Sequence, residues 1–479
     1  TLLSRLGGSF LNWSADGARL YWSTGARLHS ASMDALTDTA PPAAATTGID
    51  LSMRVASDRP GTRLALTNAR IVTMNAQRQV IENGVILVDG NRISAVGPAA
   101  EIHIADGYQT VSQEGKTIIP GLVDIHAHGP YGSGAIIPQQ NWNLLAHLAL
   151  GVTTVHNPSS RAELAFAAAE YVRAGRALGP RIFSTGEIVY GARSLYYSPV
   201  ESLDDALAHV RRLKAQGAIT IKNYNQPRRE QRQQVIEATR REGMMTVAEG
   251  GALFHQDMNL VADGVTGVEH NVPTLEMYDD VTGLWSASDA GYTPTLVVTF
   301  GGLTAEDYYY QRDEVWKHPI LSNFVPPAVL QPRSVRRPMA PEDDYRDDDA
   351  AAAAKVLLEA GVTVNTGAHG QREGLATHWE MWSFARGGFS PMQALSAATI
   401  NPATYLGMDA DIGSIETGKL ADLVILDANP LDDIGHSDAI SEVMMNGRLY
   451  RASDLAETHT GKARLQPFYW AGKPQSDIR

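Results

Sequence analysis

At 479 residues the chain exceeds one ordinary domain, and a composition of 44% hydrophobic and 19% charged residues supplies a sizeable core. A formal net charge of −13 argues against a nucleic-acid-binding surface, and no apolar run reaches the roughly 18 residues needed to span a membrane. Cysteine is absent, which excludes disulfides, a thiol nucleophile and thiolate ligands, so any metal must be held by His, Asp, Glu or Lys.

In chain order, residues 1–58 read as short strands with turn signals, around Ser9 to Ser14, Ala15-Asp16-Gly17 and Arg19 to Ser23. The stretch from Trp13 to Leu20 resembles the repeat element of a β-propeller blade, with Ala15 where proline is usual. One blade cannot bury its own faces, so a further propeller part of the same protein is expected upstream of Thr1, where neither Met nor a signal peptide opens the chain. Pro41-Pro42-Ala43 to Thr47 reads as a linker.

Residues 59–118 contain strands near 65–72, 84–88 and 92–97, with Asp89-Gly90 as a hairpin turn. Similar β segments return over 411–452, and the two pieces are expected to form one small β-sandwich with a central domain, 119–410, inserted between them. Residues 453–479 are read as a tail.

The central domain opens on the organising stretch of the chain, IIPGLVDIHAHGP at 118–130. Its β-branched apolar run reads as one strand buried on both faces, continuous from Ile118, and residues two apart on a strand share a side. His126 and His128 therefore present two imidazoles together at the strand's C-terminal end, where parallel α/β enzymes place their chemistry. The pair alone is equally a satisfied buried pair. Further strands read at 151–155, 181–184, 218–222, 244–247, 266–270, 292–298 and 361–365, separated by helical stretches such as 161–178, 203–215 and 229–241. Eight strands alternating with helices is the count for a closed (β/α)8 TIM barrel. The interval 300–349 exceeds one βα connection and, with its aromatics and charges, reads as a lid or partner surface. Its acidic run at 342–349 reads as solvated loop or helix N-terminus.

Four landmarks, PGLVDIHAH at 120–128, GVTTV at 151–155, GVEH at 267–270 and the tail from Asn401 to Asp427, together resemble the amidohydrolase superfamily. The likeness is to its branch of imidazolonepropionase-like and Xaa-Pro dipeptidase-like (prolidase) enzymes, over about residues 64–450. That resemblance implies a TIM barrel inserted in a β-sandwich and a divalent metal, zinc first and manganese, iron or cobalt as alternatives, one or two per chain. It implies ligands at strand ends: His126 and His128, then Lys222 as a carboxylated lysine bridging two metals, then His270. Two positions depart from the pattern. Glu249 stands where the family has histidine, and a carboxylate can replace imidazole on zinc or manganese. His369 stands where the family has the aspartate that binds metal and takes the water proton; histidine suits either task, but a nitrogen bound to metal cannot also hold a proton. His255 could compete with Glu249 but reads as a loop residue, and Glu269 reads as support, packing or a solvated charge.

Tyr224 and Asn223 follow Lys222 and are expected on the catalytic rim as oxyanion donors or substrate contacts, with Glu373 and His378 as substrate contacts or alternative bases. The function expected is metal-assisted hydrolysis of an amide, peptide or cyclic amide bond in a small-molecule or peptide-like substrate. Deamination or lactone hydrolysis at the same site, and a non-catalytic binding or scaffold protein that retains the barrel, are the alternatives. A homo-oligomer is expected from size, and a periplasmic or secreted location from the propeller likeness and missing cysteines, with a cytoplasmic location as the alternative.

Overall fold

A computed structural model describes residues 4, 7–35, 48–134, 136–193, 198–459 and 465–471. The expected linker at 41–47 lies outside them, as does much of the tail. The first strands, β1 (Ser9–Trp13), β2 (Arg19–Thr24), β3 (Arg27–Ser32) and β4 (Ile49–Asp50), form an antiparallel sheet in sequence order. Among the described residues its core cluster is Trp22 with Ala31, and Trp22 stacks on His29 at 5.6 Å. Phe10, Leu11 and Trp13 stay exposed.

Then come β5 (Arg63–Val72), β6 (Val80–Asp89), β7 (Arg92–Pro98), β8 (Gln109–Ser112) and β9 (Thr117–Pro120). These join three strands from the far end of the chain, β17 (Leu423–Leu426), β18 (Ile440–Met445) and β19 (Arg448–Arg451), in one eight-stranded sheet. The join is the antiparallel pair β9–β17, and β7 returns onto residues 418–421, with the Ile93 N–H donating to the Lys419 carbonyl at 2.9 Å. Leu64, Leu66, Ile86 and Val88 share one apolar core with Ile425, Met444 and Leu449 from the distant piece. The two pieces, expected as a small β-sandwich, thus share one sheet and one apolar core.

Between them lie seven parallel strands: β10 (Leu122–Asp124), β11 (Val152–Asn157) and β12 (Arg181–Ser184) in one sheet, and β13 (Thr220–Asn223), β14 (Met245–Glu249), β15 (Gly267–Glu269) and β16 (Gly291–Thr293) in another. Helices Ala162–Arg173, Leu203–Gln216 and Arg229–Arg241 separate them at the places the apolar spacing indicates. The side chain of Ser202 accepts from the Asp205 N–H at the start of the second, satisfying one of its orphan donors.

Three expectations are corrected. First, the run from Ile118 is two strands, since β9 belongs to the β unit and β10 to the parallel layer. The break is Gly121, whose N–H donates to the Asp422 carbonyl at 2.8 Å and where any Cβ would collide with the Thr153 side chain. Second, the parallel strands do not form one closed ladder. Past β12 the chain turns at Gly186 (φ 68°), leaving only Val189 bridged to Asn223, and the expected eighth strand makes a single bridge, Val364 to Tyr292. The seventh strand stops at Thr293 because Thr295 is left-handed (φ 49°), and Leu296–Val298 is a 3-10 turn. Third, 300–349 is no detached lid. Helix Ala305–Arg312 buries Tyr308, Tyr309 and Tyr310, and Tyr309 stacks on Trp379 at 5.1 Å. The acidic run starts helix Asp347–Glu359, where its charge favours the N-terminal dipole, and buried Asp347 is paired with Arg386 at 2.8 Å.

The Gly121 junction yields a stability test. Gly121→Ala should lower stability by roughly 1–3 kcal/mol in urea unfolding, the cost of overpacking a filled site, and Thr153→Ala in the same chain should return part of that loss. Additive costs of the two substitutions would show that the close approach is unimportant.

Candidate active site

The C-terminal ends of the parallel strands gather four imidazoles. His126 and His128 follow β10, His270 follows β15, and His369 follows the eighth segment. Ring centroids lie 4.9 Å apart for His126 and His128, 4.9 Å for His126 and His369, 4.8 Å for His128 and His369, and 5.1 Å for His270 and His369. One nitrogen from each of His126, His270 and His369 falls within 4.8 Å of the others, a separation one metal ion can bridge.

What fixes these rings is the hydrogen bonding of their outer nitrogens. His126 Nδ1 meets Glu269 Oε2 at 2.6 Å, His128 Nδ1 meets Asn157 Oδ1 at 2.9 Å, and His270 Nδ1 meets Thr295 Oγ1 at 2.7 Å. The Asn157 oxygen also accepts from the Ser159 N–H at 2.9 Å, so it acts as an acceptor and His128 Nδ1 carries the proton. The Nε2 atoms of His126 and His128 face each other at 3.2 Å, with His270 and His369 beside them. Ring nitrogens converging on one buried point are the donor type that a divalent metal takes. The donor set thus fits a divalent metal on the geometry of this chain alone.

The remaining charges sit on β13 and β14. Lys222 Nζ, almost fully buried, lies 2.6 Å from Glu249 Oε2, and Glu249 Oε1 lies 3.3 Å from His270 Nε2. Burial works to raise the Glu249 carboxyl, but the Lys222 ammonium and the contacts from His270 and Lys222 outweigh it and hold the group well below the ordinary range. Glu269, fully buried, is pushed the other way, up to about 8, chiefly by desolvation. Burial first, and the Lys222 charge among the further causes, lowers His128 to about 4 and His369 to about 3, and His126 also falls well below its ordinary value. All three are neutral at pH 7, the state in which imidazole ligates metal.

The backbone is strained where the chemistry sits. His270 (φ 73°) and His369 (φ 57°) are both left-handed, as is Thr295 behind His270. Asp124, two residues before His126, accepts from the His126 N–H and the Ala368 N–H at 3.1 Å each and from the Thr377 hydroxyl at 2.9 Å.

Of the residues picked from the sequence, His126, His128, Lys222, Glu249, His270 and His369 come together. Tyr224 stands near Glu249, half-buried, with its ring edge-on to Tyr190 at 5.0 Å. Asn223 points elsewhere: its amide donates to the Arg232 carbonyl at 3.2 Å and its oxygen meets Gln226 at 3.4 Å. His378 is buried in helix Leu375–Arg386 with its ring nitrogens against the Leu150 carbonyl and Ser437, so it is not brought to the cluster. Glu373 is paired with Arg372 at 3.4 Å. His255 is exposed in the first turn of helix Phe254–Ala262, rather than in a loop. Asp124, Asn157 and Thr295 were not singled out in the sequence. The first could have been found as the i−2 neighbour of His126, pointing to the same side of the strand, and Asn157 as a polar residue at a strand end.

A profile described as "Amidohydrolase family" matches residues 303–450. The chain is 27% identical over 387 residues to an imidazolonepropionase of Symbiobacterium thermophilum, covering 72% of this chain and 84% of that one. It is 24% identical over 428 residues to a 5-methylthioadenosine/S-adenosylhomocysteine deaminase of Bacillus cereus, covering 80% and 92%. Among solved structures it is similar to a Xaa-Pro dipeptidase with methionine bound in its active site (TM-score 0.63, 22% identity, 81% of this chain and 100% of that one). A similar match is phenylurea hydrolase B (TM-score 0.63, 21% identity, 84% and 100%).

Acid should destabilise the metal-free chain through its neutral histidines. His128 and His369, and His156, which burial lowers to about 4, refuse protons that the unfolded chain accepts below about pH 6.5. Each of these histidines should therefore cost stability as pH drops from about 6.5 to about 4, by up to about 1.4 kcal/mol per pH unit, while Glu269, at about 8, contributes with the opposite sign. Urea midpoints of the parent and of His156→Gln at pH 7 and pH 5 check this: the variant should lose less stability between the two, and equal changes would contradict it.

Proposed function

We propose that this chain is a metal-dependent hydrolase of the amidohydrolase superfamily that cleaves a carbon–nitrogen bond in a small-molecule or peptide-like amide. The observation that carries this reading is the convergence of four imidazoles, three of them held neutral by burial, beside the Lys222–Glu249 pair.

In this reading His126, His128, His270, His369 and Glu249 would hold a divalent metal, with zinc first and manganese, iron or cobalt able to substitute, and Lys222 in carboxylated form would add an oxygen ligand. Such a metal would supply Lewis acidity, bringing the pKa of water toward about 7 and polarising a carbonyl. The chain's residues do the rest. Glu269 fixes the His126 ring through Nδ1, Asn157 keeps the proton of His128 on Nδ1, and Thr295 orients His270. His369 stands where the family resemblance puts the acceptor of the water proton; as that base it would not ligate the metal, and as a ligand it would leave the proton to another group. Tyr224, with its phenol protonated, donates toward the oxyanion or the substrate. Phe300, 5.5 Å from the His270 ring, is an apolar wall of the site.

Hydrolytic deamination is the second reading, favoured by similarity to a deaminase across most of that protein. We also read the parallel strands as a (β/α)8 barrel with interrupted ladders, and the N-terminal sheet as a propeller blade, supported by its antiparallel order and two-residue core.

Metal analysis of the purified protein, with a panel of dipeptides, cyclic amides and aminopurines, tests the proposal. About two equivalents of zinc or manganese are expected, fewer in Lys222→Ala. His369→Ala should lower kcat/KM by roughly 10²–10⁴-fold, the usual weight of a lost general base. Metal-free protein after reconstitution, inactive on every substrate, would overturn the hydrolase reading in favour of a binding protein.

A further inference from the structure

Among the described residues no ladder joins β10 to the eighth segment, although both lead into histidines of the cluster. A direct backbone bond between them is long, from the Ile125 N–H to the Thr366 carbonyl at 3.3 Å. The two segments nevertheless run in close contact. A Cβ on Gly367 would lie 2.6 Å from the His126 Cβ, and one on Gly370 would collide with the His128 carbonyl. What bridges this seam is the carboxyl of Asp124, fully buried at the end of β10. One of its oxygens, Oδ1, accepts from the His126 N–H and from the Ala368 N–H, at 3.1 Å each. The other, Oδ2, accepts from the Thr377 hydroxyl at 2.9 Å. A buried carboxyl is costly unless donors surround it, and here three donors do.

We propose that Asp124 is a positioning residue that closes the first parallel strand onto the eighth segment, and so sets the separation of His126 and His369, whose ring centroids lie 4.9 Å apart. Its side chain takes the place of a missing ladder step. Both amides bind one oxygen, which holds His126 itself and the residue before His369 against a single point. Because Asp124 and His126 are two apart on the strand, the carboxyl and the imidazole leave from the same side. The Thr377 hydroxyl, from helix Leu375–Arg386, stops the carboxyl from turning, so that Oδ1 stays with the amides. His369 is left-handed (φ 57°), a conformation that persists only where its surroundings over-determine it, and the Ala368 bond holds the peptide just before it. The consequence is precision at two ring nitrogens, and precision of that kind governs metal affinity and coordination.

This positioning role rests on the metal reading above, so its test begins with the parent protein. Cobalt-loaded protein gives visible bands sensitive to coordination geometry, cobalt titration gives affinity, and hydrogen exchange of the metal-free chain reports on the two amides directly. Asp124→Ala removes the acceptor, Asp124→Asn keeps one acceptor oxygen for both amides, and Thr377→Val removes only the hydroxyl that orients the carboxyl. Phe384→Ala, which opens a buried cavity beside the helix that carries Thr377, controls for lost stability alone. In Asp124→Ala we expect shifted bands, a loss of cobalt affinity of about 10–100-fold and faster exchange in the peptides that hold the His126 and Ala368 amides. Smaller changes of the same kind are expected in Thr377→Val, values near the parent's in Asp124→Asn, and a lower Tm with parental bands in Phe384→Ala. If Asp124→Ala does not fold, Thr377→Val decides by the same spectrum. Parental bands and affinity in the folded Asp124→Ala and Thr377→Val proteins, or a shift in Phe384→Ala as large as theirs, would overturn the positioning role while leaving the metal reading intact. A parent that takes up no cobalt would overturn both.

Discussion

The structure depends on keeping a cluster of imidazoles aimed inward within one buried space. Each ring can present a lone pair to the centre only if its other nitrogen is engaged outside, and water is not there to do it. Glu269, Asn157 and Thr295 each occupy one outer nitrogen, and each comes from a different strand end. That requirement explains why polar residues are buried at β11, β15 and the turn after β16, where a parallel sheet otherwise favours apolar side chains.

The β unit serves the same end from the opposite side. β9 and β10 are separated by one glycine, so the strand carrying His126 and His128 starts from a residue locked in the other sheet. Pairing with β17 brings chain from 300 residues away onto that anchor, and the buried Arg181–Asp422 pair ties the beginning of β12 to it as well. A shift of β9 against β17 would carry Gly121 off the Thr153 side chain and move both histidines. Long-range pairing here sets register as much as it adds stability.

The fold and the six converging residues were legible because they are written in strand ends: a β-branched run stopping at His, Lys or Glu is readable from period and position alone. Asn223 and Tyr224 show where such reading stops. Adjacent residues at a strand end point to opposite sides, so only one of the two can face the site, and it is Tyr224. His378 was misplaced because helical neighbours of a catalytic loop need not share its side; its ring turns to the Leu150 carbonyl. The interrupted ladders and the two left-handed histidines were illegible for another reason. Positive φ at a non-glycine residue is imposed by tertiary contacts such as those of Asp124, and no local pattern signals it.

The two departures from the family pattern compensate one another in charge. A histidine at 369 removes one negative charge relative to aspartate, and a glutamate at 249 adds one relative to histidine, so the exchange conserves the total across the site. With Lys222 as an ammonium, Glu249 is consumed as its partner at 2.6 Å. Carboxylation of Lys222 would change the local charge by two units and free Glu249 from that pair, leaving two anionic oxygen donors among four imidazoles. The two differences thus set the carboxylate beside Lys222 and an imidazole at position 369.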